Sequence, residues 1–191
     1  MLEIGVLGKV DQISDEGMRF YALIGLCVST GAAIEHLLFH CYRVTCGLDR
    51  KSAAENFYKY VQFKPRRDLA DGAVQAALKD GPLLETWKDL LSEIQEVCGG
   101  DKARNLISHN PLELDVFVRL KPDGTPDFED NSSLYTELAV NQSHGAVLGR
   151  GRRPDRHTAK SLREYAYAIL GAELRLSEFY RSRLAHLAEH P

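Results

Sequence analysis

The sequence predicts a mainly helical single domain, a helical bundle with an antiparallel β-hairpin inserted before the last helix. Apolar residues recur at the three- and four-residue spacing of a helix through most of the chain, whereas residues 112–120 and 134–140 alternate apolar and polar side chains as strands do. A chain of 191 residues, with 44% hydrophobic and 27% charged residues, suits one folded domain with its own core. We therefore predict one domain over residues 1–191, with the hairpin insert at about 112–149.

The first long helix is predicted over residues 14–45, since Ser14 or Asp15 can serve as its N-cap and Gly47 follows its end. Its middle is apolar nearly all round, which is typical of a central helix that is covered on several sides. The apolar run is shorter than the roughly 20 residues that a membrane span needs, so a buried helix is predicted and no membrane partner is expected. Residues 1–13 contain few strong helix formers, and they are predicted to be irregular.

The later helices are predicted from residues that favour a helix start. Ser52 opens a capping box, which predicts a short helix to about residue 61. Pro65 and Pro82 suit a first helical turn, and they predict helices that end at about residues 78 and 98. After the insert, an apolar stripe predicts the last helix, with Thr158 or Asp155 as its N-cap.

Charge and cysteine usage exclude several classes of protein. The net charge is -3 and the sequence pI is about 6.2, so nucleic acid could be bound only through a local basic patch. The four cysteines form no C-x-x-C pair, which indicates reduced, mostly buried thiols rather than a disulfide framework or a zinc knuckle. No positively charged leader precedes an apolar run at the N-terminus, and the expected location is the cytoplasm.

Polar chemistry clusters in residues 101–111, at the end of a predicted helix. Asn105 and His109 are four residues apart and share a helical face, as do Arg104 and Ser108. His109 would lie at the negative end of the helix dipole, which favours its charged form. Arg104 offers a forked set of donors that suits a phosphate. The segment therefore predicts a minimal site for RNA cleavage, in which His109 transfers protons, Arg104 stabilises phosphate charge and Asn105 positions the substrate or His109.

This Arg-Asn-x-x-x-His segment at a helix end, within a helical bundle, resembles the HEPN family (higher eukaryotes and prokaryotes nucleotide-binding). Arg104, Asn105 and His109 match the family motif, and residues 34–37 and 63–69 stand where helical members often carry similar patterns. The resemblance implies a homodimer in which two copies of the motif helix face each other. It also implies metal-independent endoribonuclease activity with 2′,3′-cyclic phosphate products, and a toxin or phage-defence role with an antitoxin or another protein as partner.

The same residues have plainer interpretations. Arg104 and His109 are also compatible with a helix-end salt bridge, in a dimeric helical protein whose motif stabilises the subunit contact. A HEPN-like bundle can also bind a nucleotide, an RNA or a partner protein without cutting anything. These alternatives remain open at the level of the sequence.

The strongest local positive patch is a loop at residues 149–157. Arg150, Arg152 and Arg153 of this loop, with Ser108 of the motif segment, are the candidate substrate-binding residues, since guanidinium groups bind the RNA backbone. A solvated loop before the last helix is the alternative interpretation.

Two imidazoles and a carboxylate lie close together on the first long helix. Glu35, His36 and His40 have a spacing that a metal ion could use, but no further ligand is identifiable, so neither a metal nor a cofactor is predicted. Polar residues on the solvent or interface side of the helix are the preferred interpretation. As a further hypothesis, Glu35 hydrogen-bonds Arg104 and orients it.

Overall fold

The computed structural model describes residues 5–99, 112–118, 134–141 and 156–185. Within these ranges the chain forms six α-helices and one π-helical turn, so the predicted mainly helical class is confirmed. The elements are α1 (Gly5–Asp11), α2 (Glu16–Thr45), α3 (Arg50–Phe57), α4 (Phe63–Leu78), α5 (Pro82–Cys98), α6 (Ala159–Phe179) and the π-helix (Tyr180–Leu184).

The long helix α2 begins and ends as predicted, whereas the residues before it do not follow the prediction. The Asp15 carboxylate accepts a hydrogen bond at 2.7 Å from the backbone N–H three residues on, which satisfies a donor at the helix start. Gly47 takes a positive φ of 62° just past the helix end. Residues 5–11 are helical rather than irregular. Leu7 and Val10, three residues apart, are buried against the bundle, and this packing outweighs the low helix propensity of two glycines.

The shorter helices start close to their predicted positions. α3 begins earlier than predicted because Asp49, rather than Ser52, is its N-cap and accepts hydrogen bonds from the backbone N–H groups of residues 51 and 52 at 2.8 and 3.1 Å. α4 begins at Phe63, so Pro65 lies within the first turn instead of opening it. Pro82 is the first residue of α5, as predicted.

The central helix α2 packs against α6, and the two run in the same direction. In the first half of α2, the Cys27 thiol lies 4.0 Å from the carbonyl oxygen of Leu162 near the start of α6. Near their ends, the rings of His40 and Tyr180 have centroids 5.7 Å apart. Residues late in α2 therefore face the end of α6 and the π-helix that continues it.

α5 runs antiparallel to α6. Early in α5, Trp87 contacts Phe179 at the end of α6, with ring centroids 5.6 Å apart. Late in α5, the Val97 carbonyl accepts a hydrogen bond of 2.8 Å from the Tyr165 hydroxyl near the start of α6. Trp87 is fully buried and its indole N–H donates to Asp71 of α4 at 2.9 Å, so one side chain links three helices.

Two hydrophobic clusters stabilise the bundle. The larger joins the second half of α2 to α3, α4, α5, α6 and the π-helix, and its largest fully buried side chains include Trp87 and Phe57. The smaller joins α1, the first half of α2 and the first half of α6. Its buried members are Leu7, Val10, Phe20, Leu23, Cys27, Leu162, Ala166 and Leu170.

The cysteines agree with the prediction of reduced, mostly buried thiols. Cys27, Cys41 and Cys98 are buried, and Cys46 is exposed just past the end of α2. Burial raises the pKa of Cys27 and of Cys41 to about 12, so both stay protonated at neutral pH and act as small apolar residues.

Between α5 and α6 in the sequence, the backbone of three short segments is described as strands. β1 (Leu112–Val118) pairs antiparallel with β2 (Leu134–Asn141), and β2 pairs antiparallel with β3 (Arg156–Thr158). The side chains of these segments and the residues that connect them lie outside the described part of the chain. The hairpin insert at about 112–149 therefore stays a prediction.

By length and composition alone, α2 could cross a membrane over Gly17–Thr45. Core helices of water-soluble bundles satisfy the same criterion. Along α2, Phe20, Cys27, Ile34 and Leu38 are fully buried among the other helices. Of the most apolar window of α2, 39% is buried, so one side of the helix lies in the core and another side does not, and the cytoplasmic location stays a prediction.

Candidate functional site

The residues of the predicted RNA-cleavage site lie outside the described residues. They are the catalytic candidates Arg104, Asn105 and His109, and the substrate-binding candidates Ser108, Arg150, Arg152 and Arg153. The structure follows the chain to Gly99, five residues before Arg104.

Gly99 has a specific role at the end of α5. Its backbone N–H donates to the Gln95 carbonyl oxygen at 2.9 Å, and a β-carbon on residue 99 would collide with that oxygen. A glycine is therefore required where the chain leaves α5 toward the motif.

Within the described ranges, a group of polar side chains surrounds the second half of α2. Its members lie on α2, on α3 and its end, and on α4, and each interacts with at least one other member through a ring contact, a hydrogen bond or an electrostatic interaction. We define the α2 polar cluster as Glu35, His36, His40, Arg43, Arg50, Tyr58 and Arg66.

Arg66 is the best satisfied member of the α2 polar cluster. Its Nη1 lies 2.7 Å from the Glu35 Oε2, with both side chains mostly buried at 17% and 14% exposure. Its Nε donates to the Tyr60 carbonyl oxygen at 2.7 Å, and its guanidinium carbon lies 5.1 Å from the Tyr58 ring centroid. The ion pair joins the stretches 34–37 and 63–69, so their sequence patterns meet in space. The contact hypothesised between Glu35 and Arg104 stays a hypothesis, because Arg104 lies outside the described residues.

The two imidazoles of the cluster touch each other. His36 and His40 have ring centroids 4.5 Å apart in an edge-to-face arrangement, and His40 also contacts the rings of Phe39 and Tyr180. Desolvation, followed by the nearby His36, Arg43 and Arg50, lowers the pKa of His40 from its ordinary value of 6.5. His40 is therefore neutral at pH 7, with one N–H donor and one acceptor.

The spacing of Glu35, His36 and His40 does not bring them together as three possible metal ligands. In the described part of the chain, no three His, Cys, Asp or Glu side chains are grouped closely enough to hold an ion. Instead, the Glu35 carboxylate contacts Arg66 of α4.

Two buried polar atoms of the cluster lack a hydrogen-bond partner in the described part of the chain, namely His40 Nδ1 and Arg43 Nε. A buried polar atom left in this way costs roughly 1–3 kcal/mol. Other partly buried arginines are compensated, since Arg66 and Arg67 have carboxylates at 2.7 and 2.6 Å. The cluster therefore contains Arg66, whose Nε and Nη1 both have acceptors, and Arg43, whose Nε has none among the described residues.

Only part of this cluster could have been found from the sequence. His40 and Arg43 are three residues apart and share a face of α2, so their proximity follows from helical spacing. Arg50, Tyr58 and Arg66 join the cluster only because α3 and α4 fold back on α2. Helical spacing does not predict that packing.

A cleft of about 490 Å³ lies between α5, α6 and the π-helix. Its apolar floor includes Leu90 and Phe179, and its rim carries charges of both signs. Arg175 on α6 forms an ion pair with Glu93 on α5 across this cleft. Its other lining residues are Leu83, Thr86, Asp89, Glu178, Ser182 and Arg183.

Comparison with known proteins identifies no relative. No protein-family model matches the chain, and no curated protein or solved structure shows significant similarity to it. The resemblance to the HEPN family is therefore carried by the motif and the helical class alone.

Proposed function

We propose that the protein is a HEPN-type, metal-independent endoribonuclease that acts as a homodimer in the cytoplasm, in a toxin or phage-defence context. The observation that carries this proposal is the Arg104-Asn105-x-x-x-His109 motif, which follows α5 closely in a mainly helical chain. An antitoxin or another protein is the expected regulatory partner.

The reaction needs only groups that the motif contains. The ribose 2′-OH attacks the neighbouring phosphorus, the bond from phosphorus to the 5′-oxygen breaks, and a 2′,3′-cyclic phosphate and a 5′-hydroxyl result. His109 accepts the proton of the 2′-OH or delivers one to the leaving oxygen, and a second His109 in the dimer completes the transfer. Arg104 stabilises the negative charge that builds up on the phosphate, and Asn105 positions the substrate or His109.

The surrounding sequence and structure support this role in two respects. First, α5 packs in the larger hydrophobic cluster and ends at Cys98, and the motif begins six residues later in the sequence. In addition, Ser108, Arg150, Arg152 and Arg153 supply hydroxyl and guanidinium groups that can bind the RNA backbone.

The test is cleavage of a mixed RNA pool in the presence of EDTA. The wild type is expected to produce 2′,3′-cyclic phosphate ends, and His109→Ala is expected to lower the rate by about 100-fold or more. His144→Ala is the matched control, because it removes an imidazole outside the motif and should cleave like the wild type. Equal cleavage by the wild type and His109→Ala would show that the catalytic assignment is wrong.

The second candidate function is a non-catalytic HEPN-like bundle that binds a nucleotide, an RNA or a partner protein. The net charge of -3 favours it, since a chain without an overall positive field attracts long RNA weakly. Saturable ligand binding by a folded wild-type protein, with no cyclic phosphate formed, would select this function over cleavage.

A further inference from the structure

We propose that His40 and Arg43 of the α2 polar cluster, with Arg50 beside them, bind a phosphate group carried by RNA or by a nucleotide. None of these residues belongs to the Arg104–His109 motif, so the proposal goes beyond the proposed cleavage and does not depend on it.

The unsatisfied atoms indicate the chemistry of the ligand. Arg43 Nε is a donor, and neutral His40 can present a donor at Nδ1. Because the two residues are three apart on one helix, a single acceptor group can reach both side chains. A phosphate offers several acceptor oxygens and a negative charge, and it suits the donor geometry of a guanidinium group.

The charges around His40 favour an anion. Arg43 and Arg50 lie close enough to disfavour protonation of His40, and neither forms an ion pair with a carboxylate among the described residues. The acidic member of the cluster, Glu35, contacts Arg66 at 2.7 Å. A bound phosphate would therefore meet cations that no carboxylate of the described residues pairs, with Arg43 in the last turn of α2.

Exposed residues lie around the two partly buried side chains. His36 and Arg50 are exposed, and 42% of Tyr58 is accessible at the end of α3. His40 and Arg43 are partly buried and their two unsatisfied atoms are inaccessible to solvent, so in this proposal both side chains turn outward to meet the phosphate.

The experiment is isothermal titration calorimetry with the full chain carrying His109→Ala, which prevents the proposed cleavage. The probes are a short single-stranded RNA, AMP, inorganic phosphate and adenosine. Arg43→Gln should weaken binding of the phosphate-bearing probes about tenfold or more, because a charged donor is lost. Arg50→Gln, at an exposed position that folding does not require, should weaken it about threefold. Arg183→Gln, which removes the same charge from the rim of the cleft, should leave binding unchanged.

The outcomes separate the possible sources of the phosphate. Binding of RNA alone identifies the polymer, binding of AMP identifies a nucleotide, and binding of inorganic phosphate shows that the base is not needed. If RNA binds, Arg43→Gln should reduce the slope of log affinity against log salt by about 0.7, as expected for one lost contact to a single strand.

Three results would overturn the proposal: no binding of any phosphate-bearing probe, equal binding of adenosine and AMP, or equal affinities of Arg43→Gln, Arg50→Gln and Arg183→Gln. The two unsatisfied atoms would then be met by water or by another part of the chain. Failure of RNA cleavage, with phosphate binding intact, would remove the proposed enzyme function and leave this site standing.

Discussion

The α2 polar cluster and the cleft between α5 and α6 contain similar side chains but differ in how their charges are compensated. In the cleft, Arg175 pairs with Glu93, and further charges of both signs line the rim. In the α2 polar cluster, Glu35 compensates Arg66, whereas Arg43 has no such partner among the described residues. The cleft has the volume of a binding site, but the cluster has the unsatisfied donors. Unsatisfied polar atoms are the more specific indication of a ligand, because packing alone can leave a cleft.

The largest expected effect comes from breaking the buried ion pair of the cluster. Glu35→Ala should lower the free energy of unfolding by about 2–3 kcal/mol, because Arg66 would keep its charge in a mostly buried position. The matched change in the cleft, Glu93→Ala, should cost about 0.5 kcal/mol or less, since Arg175 is 59% exposed and water can solvate it. Urea denaturation followed by circular dichroism measures both. Equal losses would show that the two regions are compensated alike.

A smaller effect of opposite sign is expected at the unsatisfied cation. Arg43→Met keeps an unbranched apolar stem and removes the buried donor, so in the absence of ligand it should raise the free energy of unfolding by about 1 kcal/mol. The same replacement at Arg183 on the exposed rim of the cleft should change it little. Destabilisation by Arg43→Met would indicate that Arg43 already has a structural partner.

The third effect depends on pH and follows from the lowered pKa of His40. The unfolded chain takes up a proton at this residue as the pH falls below about 6.5, whereas the folded chain resists it, so stability should fall in that window. The groups that face the imidazole are His36, Arg43 and Arg50, together with the rings of Phe39 and Tyr180. In His40→Gln, the free energy of unfolding should therefore fall less than in the wild type between neutral pH and about pH 5.5. An unchanged pH profile in unfolding experiments would contradict this prediction.

The smallest expected effect comes from removing the charge of Arg50, which influences His40 from a distance. Arg50→Gln removes an exposed cation, so stability should stay within about 0.5 kcal/mol of the wild type. The pKa of His40 should nevertheless rise slightly, because one of the charges that lowers it is gone. An NMR titration of the His40 ring protons measures this shift. A pKa that does not rise would place Arg50 too far away to join the proposed phosphate site.

The helical class was predictable because local chemistry determines most helix starts. Asp15 and Pro82 each act at the position that the sequence indicated. The errors arose where competing signals or tertiary packing decided the outcome: Asp49 replaced Ser52 as a cap, and burial of Leu7 and Val10 stabilised a helix of low propensity.

The candidate sites differ more sharply in what the sequence could predict. The motif at Arg104, Asn105 and His109 is contiguous and was found from spacing alone, and its catalytic role stays a prediction. The contact between Glu35 and Arg66 joins residues 31 positions apart, and no local pattern specifies such a distance. The unsatisfied atoms of His40 and Arg43 depend on the side chains packed around them, so only a three-dimensional structure shows them.

The position of Trp87 gives this protein an internal optical reporter. It is the single tryptophan of the chain, it is fully inaccessible to solvent, and it contacts Asp71 and Phe179 on two other helices. Its emission spectrum therefore senses whether α4, α5 and α6 stay assembled, without any label. A ligand that leaves the emission unchanged acts without disturbing this junction, whereas one that shifts it has altered the surroundings of Trp87.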